Sequence, residues 1–131
     1  MRIFLTLFLL CAVPAAAAPK DHFHDLIEAL GPAAQAQAGG RAEREAIALN
    51  TVLVIHGAEP CRMMARAAAY RRERGEAIDE SLLAAYGARR EQERQRIAQA
   101  IDTWWARTDL SEHDRTQFCT MIDKALTHIG Y

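Results

Sequence analysis

The helical spacing of apolar residues is the feature that most constrains the fold of this chain. No stretch alternates apolar and polar side chains as a half-buried strand would, whereas apolar residues recur three and four positions apart in five separate segments. Capping residues, glycines and prolines lie between these segments, where helices begin and end. The sequence therefore predicts an all-α protein, a small bundle of about four to five helices.

Capping and breaking residues set the expected bounds of the five helices. Pro60 fits the first position of the third helix, while Asp79 and Ser111 are N-cap residues for the fourth and the fifth. The second helix is apolar nearly all round in its C-terminal half, which predicts a central position in the bundle. The fourth is expected to be the longest, with a bend at Gly87. The predicted ranges are about 21–30, 41–56, 60–75, 79–107 and 111–129.

The first 17 residues have the layout of an export signal. Arg2 is followed by an apolar run over 3–13 and then by small residues, with Ala15 and Ala17 in the spacing that signal peptidase recognises. The run is shorter than the roughly twenty residues that a membrane-spanning helix needs. We therefore expect cleavage after Ala17, no stable membrane span in the mature chain, and a periplasmic or secreted protein. Cys11 raises lipidation as an alternative, although no small residue precedes it.

The mature chain is predicted to divide into two unequal parts. Residues 18–40 are expected to form a short helix and a tether rich in alanine and glycine, and residues 41–131 to form the helical domain. The tether offers few bulky apolar side chains, so the first helix and the tether are expected to pack loosely.

Two cysteines remain after removal of the leader. An oxidising compartment favours a disulfide between Cys61 and Cys119, which would join two helices and support a small core. Neither cysteine lies in a C-x-x-C or C-x-x-C-H pattern, so the sequence lacks the motifs of thioredoxin-like chemistry and of haem attachment. The alternative is two separate thiols, one of them catalytic or metal-bound.

Charge is nearly balanced over the whole chain, with 16 basic and 17 acidic side chains. This balance gives no general attraction to nucleic acid or to anionic membranes, so neither is an expected partner. Arginines nevertheless outnumber acids between Arg62 and Arg107, a pattern that suits either a solvated helix face or an acidic partner.

A tryptophan pair and an arginine cluster are the candidate partner-binding residues. Trp104 and Trp105 are adjacent and cannot face the same way on a helix, so one should enter the core and the other stay exposed or half-exposed. Exposed tryptophans and arginines are frequent anchors of protein interfaces. The candidate residues are Trp104, Trp105, Arg89, Arg90 and Arg94.

The densest group of candidate metal ligands lies near the mature N-terminus. Asp21, His22 and His24 suit copper, nickel or zinc by chemistry. Residues two apart point in different directions on a helix, so both histidines could ligate one ion only if the segment stays unwound. A polar N-terminal segment without a metal is the alternative.

Catalytic motifs are missing from the sequence. It contains no G-x-S-x-G, no H-E-x-x-H and no glycine-rich phosphate loop. His56 and His128 lie near predicted helix ends, a placement that favours a structural role. We therefore expect no enzymatic activity and no cofactor.

The span from Asn50 to Tyr131 resembles a family of short exported helical proteins of alphaproteobacteria. The first shared features are one cysteine before an arginine and a methionine (Cys61, Arg62, Met63) and a helix of small residues that ends in Gly75. They are followed by an acidic helix start (Asp79, Glu80), a charged middle over 89–96, and a late aromatic–cysteine pair (Phe118, Cys119). The resemblance implies an extracytoplasmic, disulfide-linked helical fold and brings no chemistry with it.

Three functions of different classes fit these observations. The first is an envelope protein that acts by binding another envelope protein, as an inhibitor, an immunity factor or an accessory subunit. The second is an acid-stress or holdase chaperone of the periplasm, and the third is a metal-handling protein. Self-association as a homodimer is left open.

Overall fold

Five α-helices joined by short connections form a bundle in the computed structural model, which describes residues 21–38 and 43–131. The α-helices are α1 (His22–Leu30), α2 (Glu43–Gly57), α3 (Met64–Tyr86), α4 (Arg90–Trp105) and α5 (Glu112–His128), with 3-10 segments at Gly31–Ala38 and Gly87–Arg89. These ranges contain no strand, so the predicted all-α class is confirmed. The predicted leader with Cys11, and the two glycines at 39 and 40, lie outside the described residues.

Helix α2 is the centre of the bundle. It packs against α3, α4, α5 and the first 3-10 segment, and its predicted central position is confirmed. Two polar residues share this buried helix: the Asn50 side-chain amide donates to the carbonyl of Ala46 at 2.9 Å, and Thr51 is hydrogen-bonded to the Tyr70 hydroxyl at 3.0 Å. The buried residues of α2 between 46 and 54 are Ala46, Ala48, Leu49, Asn50, Thr51, Val52, Leu53 and Val54.

Helix α1 and the 3-10 segment that follows it belong to the same core. Leu26, Leu30, Ala33 and Ala36 are fully buried, so the expectation of loose packing is wrong for the described part of this segment. The small side chains of the 3-10 segment allow its backbone to approach α2 closely. The segment is therefore buried although it has few bulky side chains. The predicted cap is confirmed, because the Asp21 carboxylate accepts a hydrogen bond from the Phe23 amide at 3.1 Å.

Helix α3 departs from the predicted bounds. The expected break at Arg74 and Gly75 is present as a kink, because Arg74 has a non-helical backbone (φ −130°, ψ 15°) within the segment from Met64 to Tyr86. The expected new start at Asp79 is wrong, because the helix resumes directly after the kink. Buried Ile78 and Leu82 hold the second half of the helix against the core across that kink. Helix α3, and not the predicted fourth helix, is therefore the longest in the described chain.

The predicted bend at Gly87 is confirmed and is sharper than expected. Gly87 has φ +52°, a backbone conformation that glycine adopts without strain, and it separates α3 from α4. Helix α5 begins as predicted with a capping box, in which Ser111 and Asp114 each accept a hydrogen bond from the other's amide at 3.0 and 2.9 Å.

The disulfide between Cys61 and Cys119 is confirmed. Cys61 lies in the turn after α2, and Pro60 with it, so Pro60 is not the start of the third helix. The bond therefore joins the connection between α2 and α3 to the middle of α5, across a sequence separation of 58 residues. Among the described residues, no helix is both long and apolar enough to cross a membrane.

Candidate functional site

The turn between α2 and α3 ends in an unusual residue. The Met63 amide donates to the Ala58 carbonyl at 2.8 Å, and the Arg62 amide donates to the Glu59 carbonyl at 3.0 Å. This pair of hydrogen bonds is the Schellman pattern that closes a helix, and it requires a left-handed residue at the position of Arg62. Arg62 accordingly has φ +59°, and it is the one non-glycine residue with positive φ in the described chain.

Arg62 occupies a position where glycine is the usual residue. A side chain in the left-handed region costs about 1–2 kcal/mol, because its Cβ approaches the following carbonyl. The Arg62 side chain is exposed and makes no hydrogen bond or ion pair with any described residue, so no polar interaction within this part of the chain offsets that cost. Non-glycine residues held in such conformations are concentrated at functional sites.

Trp105 lies beside this turn. Its ring packs on Phe118 with centroids 5.4 Å apart, and the Arg115 guanidinium lies 4.5 Å from the ring centroid in a cation–π arrangement. Trp105 is half-buried and also borders a cavity of about 360 Å³ whose other walls include Glu59, Pro60 and Asp102. Part of the ring therefore remains open to a partner.

A second cavity lies on the other side of the disulfide. It has a volume of about 430 Å³ and is lined by Met63, Arg115, Cys119 and residues of α5. Since Trp105 and Pro60 border the first cavity while Arg115 and Cys119 border the second, the disulfide and the Trp105–Arg115 pair lie between them. We call the surface formed by residues 59–63, Trp105, Arg115 and these two cavities the disulfide face.

His56 lines the first cavity together with Asp102. Burial lowers the pKa of His56 below its ordinary value of 6.5. The Asp102 carboxylate raises this pKa, whereas the Arg94 and Arg71 guanidinium groups lower it further. At neutral pH the imidazole is therefore uncharged. The cavity is then negatively charged, because the Glu59 and Asp102 carboxylates line it.

The candidate partner-binding residues do not form one cluster. Trp104 is buried, with 4% of its surface exposed, and its indole N–H donates to the His22 carbonyl at 2.7 Å, whereas Trp105 is half-buried. This outcome agrees with the expectation that one ring enters the core and the other does not. The arginines at 89, 90 and 94 lie near the start of α4, and the eleven residues from 94 to 105 correspond to about 16 Å of helix.

The arginines near the start of α4 are also partly engaged with neighbours. The Arg94 guanidinium donates to Asp79 at 2.8 Å, and Asp79 lies inside α3. Arg90 lies 3.6 Å from the Glu91 carboxylate, while Arg89 is exposed. The role of Arg89, Arg90 and Arg94 in partner binding stays a prediction.

Two further arginines of this region have structural partners. Arg96 donates to the carbonyls of Ala29 and Leu30 at 2.7 and 2.9 Å, where α1 ends, and its hydrogen bond to Glu93 raises the pKa of Arg96. Arg107 donates to Asp25 at 3.0 Å and to Asp109 at 2.8 Å. The latter bond lowers the pKa of Asp109 to about 2. Arg96 and Arg107 thus hold α1 against α4 and the residues that follow it.

The candidate metal ligands are distributed around α1. His22 Nδ1 lies 3.0 Å from the Arg107 guanidinium, His24 Nε2 lies 3.1 Å from the Glu28 carboxylate, and the Asp21 carboxylate caps the helix. The segment is helical from His22, and the described residues contain no group of three or more His, Cys, Asp or Glu side chains placed to hold a metal. Metal binding by Asp21, His22 and His24 stays a prediction.

The left-handed conformation of Arg62 was not predicted from the sequence. The third helix was expected to begin at Pro60, so residues 60–62 were predicted to be helical, whereas they lie in a turn. A left-handed glycine or asparagine would have marked the turn, but an arginine carries no such signal.

Fold and disulfide together define an all-α, disulfide-linked helical protein. No protein-family model, curated protein or solved structure matches the chain. The resemblance to the alphaproteobacterial family therefore stays a prediction, and the functional argument depends on the geometry of the site.

Proposed function

We propose that this protein is exported to the cell envelope and acts there by binding another protein through the disulfide face, as an inhibitor, an immunity factor or an accessory subunit. The observation that carries the proposal is Arg62. It occupies a position that favours glycine, makes no hydrogen bond or ion pair with a described residue, and lies in the turn whose Glu59 and Pro60 border a cavity together with Trp105. A non-glycine residue in a left-handed conformation, with no hydrogen bond or ion pair that offsets the strain, is best explained by a function.

The composition and rigidity of the disulfide face support the same proposal. Tryptophan and arginine are the residues most enriched among those that carry binding energy at interfaces, and this face contains the Trp105–Arg115 cation–π pair and the exposed Arg62. The bond from Cys61 to Cys119 holds the turn against α5, so little conformational freedom is left to lose on binding. Arg62 has no carboxylate partner among the described residues, so a carboxylate of the bound protein is its expected complement.

The proposal is tested by capture from an envelope fraction with two matched variants. Arg62→Ala and Arg72→Ala each remove one exposed arginine that forms no hydrogen bond or ion pair with a described residue, but Arg72 lies on α3. We expect one protein to be enriched by the wild type and by Arg72→Ala, and to be reduced about tenfold or more by Arg62→Ala. Enrichment of no protein, or equal enrichment by both variants, contradicts the proposal.

A further inference from the structure

We infer that a groove between α1 and α5 is a second docking surface, which takes an amphipathic helix of a partner protein with a carboxylate near one end. The groove has a volume of about 450 Å³. Phe23, Ile27 and Ala34 form one wall, and Met121 of α5 contributes to the other. This inference does not depend on the function of the disulfide face.

The length of the groove suits a helical occupant. His113 and Lys124 both line it, and their separation of eleven positions corresponds to about 16 Å along α5, or roughly three turns. A helix of about three turns presents apolar residues three and four positions apart, which is the recognition mode used when a helix lies in an apolar groove. Apolar side chains of the occupant would contact Phe23, Ile27 and Met121.

The polar groups of the groove indicate the charge of the occupant. No acidic side chain of the described residues lines it, and Lys124 is exposed without an ion pair to any of them. Lys124, which has no ion-pair partner among the described residues, complements a helix that carries a carboxylate near it.

The test uses two fluorescein-labelled synthetic peptides of about 14 residues that differ only in the charged positions. Both carry leucine on one helical face; the first has glutamate and the second lysine beside that face. Anisotropy is measured with the full mature chain, with Lys124→Glu and with Arg72→Glu. The last variant makes the same change of charge at an exposed position on α3.

We expect the acidic peptide to bind the wild type and the Arg72→Glu variant equally, and the Lys124→Glu variant about tenfold more weakly. We expect the basic peptide to bind the wild type at least about tenfold more weakly than the acidic one. Failure of the acidic peptide to bind below about 1 mM overturns the inference, and so does equal binding of the two peptides or equal effects of the two variants.

A photo-crosslink identifies what occupies the groove. Benzoylphenylalanine in place of His113, which lines the groove, should attach to the acidic peptide. A crosslink to a second copy of the chain, or to residues that precede Asp21, would assign the groove to that occupant and overturn the inference.

Discussion

Gly57 is the residue that lets the end of α2 approach α5. A Cβ atom built at Gly57 would lie 2.6 Å from Ile122 Cγ1 and 3.1 Å from Phe118 Cζ, both of which are buried. Gly75 on α3 differs, because an added Cβ there meets no atom within 4 Å. The two glycines therefore separate the effect of close packing from the effect of helix propensity.

Replacing these two glycines by alanine should change stability in opposite directions. Gly57→Ala is expected to lower the free energy of unfolding by about 1–3 kcal/mol, because the core beside Ile122 must shift to admit a methyl group. Gly75→Ala is expected to raise it by about 0.5–1 kcal/mol through helix propensity. Urea unfolding measures both, and a neutral Gly57→Ala would show that α5 moves without cost.

Stability should depend on the protonation of His56. Because burial lowers the pKa of His56 in the folded state, the unfolded chain binds a proton more readily as the pH falls through 6.5. The free energy of unfolding should therefore decrease between about pH 7 and pH 5, and the decrease should be smaller in His56→Gln. Unfolding curves at several pH values test this, and an equal slope in the variant would contradict it.

Local signals explain which elements the sequence could predict. The start of α5 depends on hydrogen bonds between Ser111 and Asp114, and the start of α1 on Asp21, so a capping pattern was enough. Gly75 was expected to end a helix, and the structure has a kink at the adjacent Arg74; burial of Ile78 and Leu82 continues the helix past that kink, so the end of α3 lies at Tyr86. Such tertiary contacts are not visible in a local pattern.

The candidate site was predictable only in part, for the same reason. Adjacent tryptophans predicted one half-buried ring, and the compartment argument predicted the bond between Cys61 and Cys119. The left-handed conformation of Arg62 depends on how the turn closes after α2, and a non-glycine residue gives no indication of it. The cavities beside Trp105 are lined by residues of separate elements, so no local sequence pattern predicts them.

The disulfide should contribute more to stability than any single helix cap. It closes a loop across 58 residues of sequence separation, for which chain entropy gives a contribution of about 4 kcal/mol. Replacement of both Cys61 and Cys119 by serine should lower the free energy of unfolding by up to this amount, and by more than the roughly 1 kcal/mol expected for a lost cap such as Ser111→Ala. Equal losses in the two variants would show that the bond constrains little.

In the molecule as a whole, the core around α2 stabilises the fold, and the two proposed binding surfaces lie outside that core. Helix α2 is buried by its neighbours, and its polar residues Asn50 and Thr51 are hydrogen-bonded inside the core. The disulfide face and the α1–α5 groove lie on opposite sides of an exposed ridge of α5, since Thr116 and Thr120 border both. One partner large enough to cover that ridge could contact both surfaces.

We propose that Arg62 serves contact with a partner at a cost to the fold, and the stability of Arg62→Gly measures that cost. Glycine removes the strain at φ +59° but loses more entropy on folding, so we expect a net gain of about 0.5–1 kcal/mol in the free energy of unfolding. The corresponding rise in Tm is about 2–5 °C. An equal or lower stability of Arg62→Gly would show that Arg62 supports the fold, and would contradict the claim.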